Sequence, residues 1–306
     1  NGSQWGFIDP LDTPDGGNIG LHKHLAISTQ ITSGSSAFPM IKWIRRNIAM
    51  RLVLECSPEC LMNSSKIFVN GNWIGVTDNP LLMVDQMKLF RRNGVLPVFT
   101  SISFDYEHNE VYVYTDSGRL TRPIYYIQNE KPSFERKVIA DALNSGKATW
   151  NQIVAGFKAK KDENYSIKNN KIYNVAELYG AGSSDELMQE FRANQALVDY
   201  VDTTEEESAL IATYPDDLKK SRFYTHMEID PSLMLGVMGN QIIYPENNPF
   251  ARNSFSCGQS KQAVSLYHSN YQMRIDKMGV ILNAGQIPLL KSRYMEYINN
   301  EEQPYG

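Results

Sequence analysis

The chain has 306 residues, is 42% hydrophobic and 21% charged, and carries a formal net charge of −4. That length buries enough surface for two or more domains, and the composition is that of an ordinary globular protein. It holds no apolar run of about 18 residues or more and no secretory signal pattern, and its acidic balance argues against a free-standing nucleic-acid binder. The three cysteines are a lone CxxxC (Cys56, Cys60) and a distant Cys257, too few for a four-ligand zinc site. They read as reduced structural thiols, which suits an intracellular setting. The opening Asn1-Gly2-Ser3-Gln4-Trp5, without an initiator Met, reads as a cut from something longer.

Residues 5–29 (WGFIDPLDTPDGGNIGLHKHLAIST) turn repeatedly at Pro10, Pro14, Gly16, Gly17 and Gly20, then enter a buried segment through Leu21, Leu25 and Ile27. Ile41, Ile44, Ile48 and Leu52 fall at helical spacing and predict one packed helix over 39–56, with Arg45 and Arg46 outside and Ser57-Pro58 as its stop. Asn70-Gly71 between two β-rich runs predicts a tight hairpin. Asp78 is placed to cap a helix that starts at Pro80, runs through Leu81, Val84, Met87, Lys88 and Phe90, and ends at Gly94. Strands at 100–104, 110–114 and 119–126 follow, so β-β-α-β-β-β makes a small α+β domain. Arg91, Arg92, Arg119 and Arg122 read as structural or partner-facing.

Further on, a helix from Ser133 to Asn144, a short one at Trp150–Phe157, a polar exposed loop at 158–171 and a capped helix from Ser184 are predicted. Thr203 with Glu206 fits a capping box, and the acids Glu205, Glu206 and Glu207 read as a solvated helix start. Between Arg252 and Arg293 six basic residues (Arg252, Lys261, Arg274, Lys277, Lys291, Arg293) face one acid, Asp276. A planar guanidinium such as that of Arg252 can hold phosphate oxygens through two parallel hydrogen bonds, while the plainer reading of the cluster is a solvated basic face. His22 and His24 lie two apart with no evident third metal ligand. His226, between Thr225 and Glu228, reads as a hydrogen-bonded structural histidine.

The ordered words Thr225-His226-Met227-Glu228-Ile229-Asp230-Pro231-Ser232, Arg252-Asn253-Ser254-Phe255, Lys261-Gln262-Ala263 and Asn270-Tyr271-Gln272-Met273-Arg274-Ile275-Asp276 closely resemble the second-largest, beta-type subunit of multisubunit DNA-directed RNA polymerases. The opening stretch resembles that family's fork, with Asp12 and Asp15 where the family has Glu and Asp9 where a Cys is usual. FVNGNWIGV, RRNG and TDSGRLTRPI resemble its first external domain, and ALVDYVDTTEEESALIA its second. The resemblance covers almost the whole chain apart from roughly 145–185. It implies a mixed α+β, multidomain fold: fork at 1–62, external domain 1 at 63–128, external domain 2 at 129–215, the second part of the fork at 216–247, and the start of the hybrid-binding domain at 248–306. Family members extend further on both sides, so an internal piece of the subunit is expected. Eukaryotic-like external-domain words beside a bacterial-like Asn18-Ile19-Gly20-Leu21 point to a divergent source such as a large DNA virus.

The resemblance also implies a role. Arg252 matches the arginine that approaches the phosphates of the incoming nucleotide. Phe255 stands where eukaryotic-type members have Tyr, keeping the ring and losing the hydroxyl. Lys261 and Gln262 match positions lining the RNA of the RNA–DNA hybrid, and Asp15 keeps a carboxylate at the downstream side of the active centre, one methylene shorter. The Asp-rich loop that holds Mg2+ belongs to the largest subunit and has no counterpart here. The implied partners are that subunit, the other polymerase subunits or remaining pieces of this one, DNA template, RNA and NTPs, with no membrane. Replacing Arg252 by Ala is expected to slow nucleotide addition far more than the same change at Arg91, taken as a surface residue. Two readings compete: a non-catalytic binding or architectural module of the same descent, and a self-contained enzyme, which the absence of P-loop, HExxH and GxSxG patterns disfavours.

Overall fold

The computed structural model describes residues 2–48, 50–146, 148–157, 184–263 and 270–277. The loop expected at 158–171 and the basic residues Lys291 and Arg293 lie outside them. The chain divides into two units, Asn1–Ser260 and Lys261–Gly306. In the second unit the described residues form a 3-10 turn at Tyr271–Met273 and a forked ion pair from Arg274 to Asp276, with Lys277 Nζ 4.5 Å above the Tyr271 ring.

The first unit opens with β1 (Gln30–Ile31), α1 (Ala37–Asn47), β2 (Arg51–Leu52) and α2 (Pro58–Asn63). α1 buries Met40 and Ile44 and exposes Arg45 and Arg46, as its spacing predicts. It does not run to Cys56. Ile48 is already extended (φ −122, ψ 138), and Arg51 and Leu52 join a sheet instead. Ser57-Pro58 starts a helix rather than stopping one: the Ser57 hydroxyl accepts from the Cys60 N–H at 3.4 Å and Pro58 sits in the first turn, where its missing N–H costs nothing.

β3 (Ser65–Val69) and β4 (Asn72–Thr77) form the expected hairpin. Asn70 (φ 48) and Gly71 (φ 81) supply the two left-handed residues such a turn needs. α3 (Pro80–Arg92), β5 (Ser101–Asp105) and β6 (Glu110–Tyr114) follow, and Gly94 (φ 66) turns the chain out of α3. Asp78 does not cap α3; it pairs with Arg51 at 2.5 Å and accepts from Ser64 at 2.8 Å. The strands assemble in the order β2-β4-β3-β6-β5, with β3 and β6 parallel and the other pairs antiparallel. Met83, Val84, Met87 and Phe90 of α3 pack on Ile67, Val69, Ile102, Val111 and Val113 beneath.

β7 (Leu120–Gln128) keeps its place in the predicted strand order but leaves this sheet. It becomes the centre of a second one with β8 (Lys131–Pro132), β9 (Val198–Asp202), β10 (Ile211–Ala212) and β11 (His226–Met227), in the order β1-β7-β11-β10 with β8 and β9 also on β7. Thr121 to Tyr125 pair antiparallel with Asp202 to Val198. α4 (Lys137–Asn144), α5 (Trp150–Ala155), α6 (Ser184–Asn194), α7 (Thr203–Glu207) and α8 (Phe250–Ser260) complete the described elements. The stretch predicted as helix from Ser133 begins as a 3-10 turn, Ser133–Glu135, before α4. α7 is capped one residue earlier than the Thr203 box predicts: the Asp202 carboxylate accepts from the Glu205 N–H at 2.9 Å.

Candidate functional site

α8 is an amphipathic helix whose two faces have different work. Asn253, Ser254 and Cys257 are buried at spacings of one and four residues. Arg252, Phe255, Ser256 and Gln259 share the exposed side. The buried side is held by hydrogen bonds as well as packing. Asn253 Nδ2 donates to the Pro245 carbonyl at 2.8 Å, and Ser254 Oγ donates to the Thr13 carbonyl at 2.5 Å. The second bond fastens the helix to the loop that carries Asp15.

That loop is shaped from within. Thr13 Oγ1 donates to the His22 carbonyl at 3.1 Å and accepts from the Gly20 N–H at 2.8 Å. Asp9 anchors its root: buried, it accepts from the Leu11 and Gly236 N–H groups, each at 2.9 Å. Gly236 is required there, because a Cβ would lie 2.8 Å from Asp9 Oδ2 and 2.9 Å from the Leu25 carbonyl oxygen. The carboxylate at position 9 therefore organises backbone. Asp15 itself is exposed at the tip of the loop.

The structure thus brings the loop bearing Asp15 onto the helix bearing Arg252 and Phe255. Arg252 is exposed, and its guanidinium makes no ion pair among the described residues. Phe255 is 43% exposed beside it, one turn along. Lys261 and Gln262 are exposed in the second unit. Chemically, a fixed helix face presenting an unneutralised guanidinium and a ring is suited to an anionic, planar ligand. Among the described residues no group of three His, Cys, Asp or Glu side chains is placed to hold a metal ion.

A second constellation bears out the structural reading of Arg91, Arg92, Arg119 and Arg122, though its pairings were not visible in the sequence. Arg91 is buried, not on the surface, and grips Glu205 with NH1 and NH2 at 2.7 and 2.9 Å. Arg92 holds Asp199 at 2.9 and 2.5 Å, and Lys88 lies 3.2 Å from Glu205. Arg119 reaches Asp202 at 3.0 Å, and Arg122 bridges Glu206 and Glu228, each at 2.7 Å. Glu205 is fully buried and Glu206 is held by Arg122, so of the three acids expected at a solvated helix start only Glu207 is exposed. Burial alone raises the Asp199 and Glu205 carboxyls, but Arg92 and Arg91 on the first, and Arg91 and Lys88 on the second, outweigh it and hold both below their ordinary values. His226 is the structural histidine expected: its Nδ1 is 2.9 Å from Thr225 Oγ1, and its Nε2 is 3.8 Å from Asp199, beyond hydrogen-bond reach. Burial pushes its imidazole down, which favours the neutral form. The available signal was the matched supply of arginines and acids in these words, separated by about a hundred residues of sequence and so not visible as pairs.

The fold and this face define a multidomain, mixed α+β chain that presents a cationic helix from a carboxylate-braced scaffold. Four family models match it in chain order: RNA polymerase Rpb2, domain 3 (residues 1–31), domain 4 (67–128), domain 5 (186–231) and domain 6 (238–306). The chain therefore carries, in order, segments that match Rpb2 domains 3 to 6. It is 30% identical over 320 residues to DNA-directed RNA polymerase II subunit 2 of Arabidopsis thaliana, covering 99% of this chain and 23% of the relative. It is 28% identical over 306 residues to DNA-directed RNA polymerase III subunit RPC2 of Drosophila melanogaster (99% and 23%). It is 28% identical over 317 residues to the DNA-directed RNA polymerase subunit Rpo2 of Sulfolobus acidocaldarius (100% and 24%). The chain spans about a quarter of the length of these relatives. They are eukaryotic and archaeal and lend no support to the expected viral source.

Proposed function

We propose that this chain forms the middle of the second-largest subunit of a DNA-dependent RNA polymerase, and that the exposed face of α8 meets the incoming nucleoside triphosphate. The observation that carries this is the contrast among the arginines. Arg91, Arg92, Arg119 and Arg122 are all engaged by carboxylates, whereas Arg252 stands exposed on a fastened helix with no ion pair among the described residues. In RNA synthesis the 3′ hydroxyl attacks the α-phosphate and pyrophosphate leaves, so negative charge grows on the phosphates. Arg252 neutralises that charge and orients the triphosphate. Phe255 packs beside it, Asp15 supplies a carboxylate from the neighbouring loop, and Lys261 and Gln262 hold the hybrid by its backbone, a contact that weakens with salt. The likeness to the second-largest subunit implies that the Mg2+ ions of the reaction are held mainly by the largest subunit. The other polymerase subunits, template and transcript are the implied partners, in an intracellular setting.

The test is single-nucleotide incorporation by the assembled polymerase. Arg252→Ala is expected to slow incorporation by about a hundredfold, the usual cost of losing one donor to developing charge. Arg91 is unsuitable as the control because it is buried. Arg45, exposed and paired only with Glu55 on the surface, replaces it, and Arg45→Ala is expected to leave the rate unchanged. Equal rates in the Arg252 variant and the parent enzyme overturn the assignment.

A further inference from the structure

A cleft of about 950 Å3 opens between the outer side of α3, the β5–β6 connection, α6 and the segment 222–226. This is within the size range of pockets that bind ligands. Its lining combines three features. First, large side chains stand out at its edge: Leu81 (53% exposed), Leu82 (57%), Tyr106 (71%) and Phe223 (82%). Such rings and branched chains in one concave surface are what an interface core is made of. Second, its wall carries the uncharged polar side chains Gln128, Asn129 and Gln195. Third, the charges are unevenly engaged. Lys88 and Arg92 are already held by Glu205 and Asp199, while Arg192 makes no ion pair among the described residues and Arg222 makes only an exposed one, 3.5 Å from Glu130.

We propose that this cleft docks a short acidic and apolar peptide segment of a partner protein. A leucine or phenylalanine of the segment fills the space between Leu82, Tyr106 and Phe223. One or two carboxylates meet Arg192 and Arg222. Single-stranded nucleic acid is the poorer occupant. Its backbone carries a charge at every nucleotide, and only two cations here are open to it, with Asp85 on the same lining. The docking surface involves none of the residues assigned to the nucleotide face, so it stands or falls separately from that assignment.

The experiment uses the full chain and three fluorescein-labelled probes read by anisotropy: the peptide Asp-Leu-Phe-Asp-Asp-Leu, the same peptide with every Asp changed to Asn, and an octamer of uridine. The acidic peptide is expected to bind at least about tenfold more tightly than the amide peptide or the RNA. Phe223→Ala and the double variant Arg192→Glu with Arg222→Glu are each expected to weaken it by about tenfold or more. These side chains are exposed, so unchanged far-UV circular dichroism and melting separate lost binding from lost folding. Arg252→Ala is expected to bind the peptide as the parent does. Tighter binding of the RNA, equal binding of the acidic and amide peptides, no binding of any probe, or full affinity in both groove variants each overturns the proposal.

Discussion

Arg91 and Glu205 decide what kind of interior this chain has. A guanidinium and a carboxylate, both nearly inaccessible, meet in a two-pronged pair, and Arg91 NH1 also donates to the Thr100 carbonyl at 2.8 Å. Each ion loses its hydration, and only this close geometry offsets the loss. Removing one partner therefore costs more than the pair contributes. Glu205→Ala leaves Arg91 buried beside only Asp199 at 3.6 Å, and the full chain is expected to lose about 3–5 kcal/mol of unfolding free energy in urea titration. Replacing both, as Arg91→Met with Glu205→Leu, is expected to recover most of that loss. A double variant no more stable than Glu205→Ala would show that Lys88 and Asp199, rather than the removed pair, set the stability of this region.

At the scale of elements, the role proposed for Arg252 rests on how firmly α8 is held to the loop of residues 11–24. The Ser254–Thr13 bond joins residues 241 positions apart and ties α8 directly to the loop. Ser254→Ala removes a donor worth about 1 kcal/mol. Amide hydrogen exchange in residues 11–24 is expected to quicken severalfold while exchange in β3 and β6 stays unchanged; equal protection of the loop would mean that Asp9 alone fixes it. Some elements were readable in advance because their cause is local. Asn70-Gly71 makes its turn by backbone preference, and Gly94 ends α3 for the same reason. α1 was misread because Ile44, Ile48 and Leu52 satisfy a helical period while Ile48, Met50 and Leu52 also satisfy the alternation of an extended segment. Both patterns deliver Ile48 and Leu52 to one core, and periodicity does not choose between them. Arg252 and Phe255 are singled out by an ordered set of motifs, but that Ser254 faces Thr13 depends on pairing across the whole chain, which no local pattern encodes.

For the molecule as a whole, the buried charges do what a single apolar core does elsewhere. α3 covers the first sheet and β9 lies in the second, and Arg92–Asp199 and Arg91–Glu205 join them between the two apolar clusters. This joint makes the fold sensitive to acid in a definite order. His226 sits at its edge facing Asp199, with Lys88, Arg92 and Glu205 also nearby, and burial holds its imidazole below the ordinary value of 6.5. The unfolded chain then binds more protons than the native one as pH drops below that value, so His226 contributes stability above it and the contribution is lost on acidification. Asp199 and Glu205 are shifted in the same direction, and for carboxylates too a lowered native value means stability present above the unfolded value and lost below it. Two falls in the urea midpoint are therefore expected, one beginning near pH 6.5 and a steeper one beginning near the ordinary Glu value of 4.5. His226→Gln is expected to abolish the first and keep the second. A parent chain whose midpoint stays level from about pH 7.5 to about 5.5 would mean that His226 takes up its proton as readily in the native joint as in the unfolded chain, with Asp199 offsetting the burial.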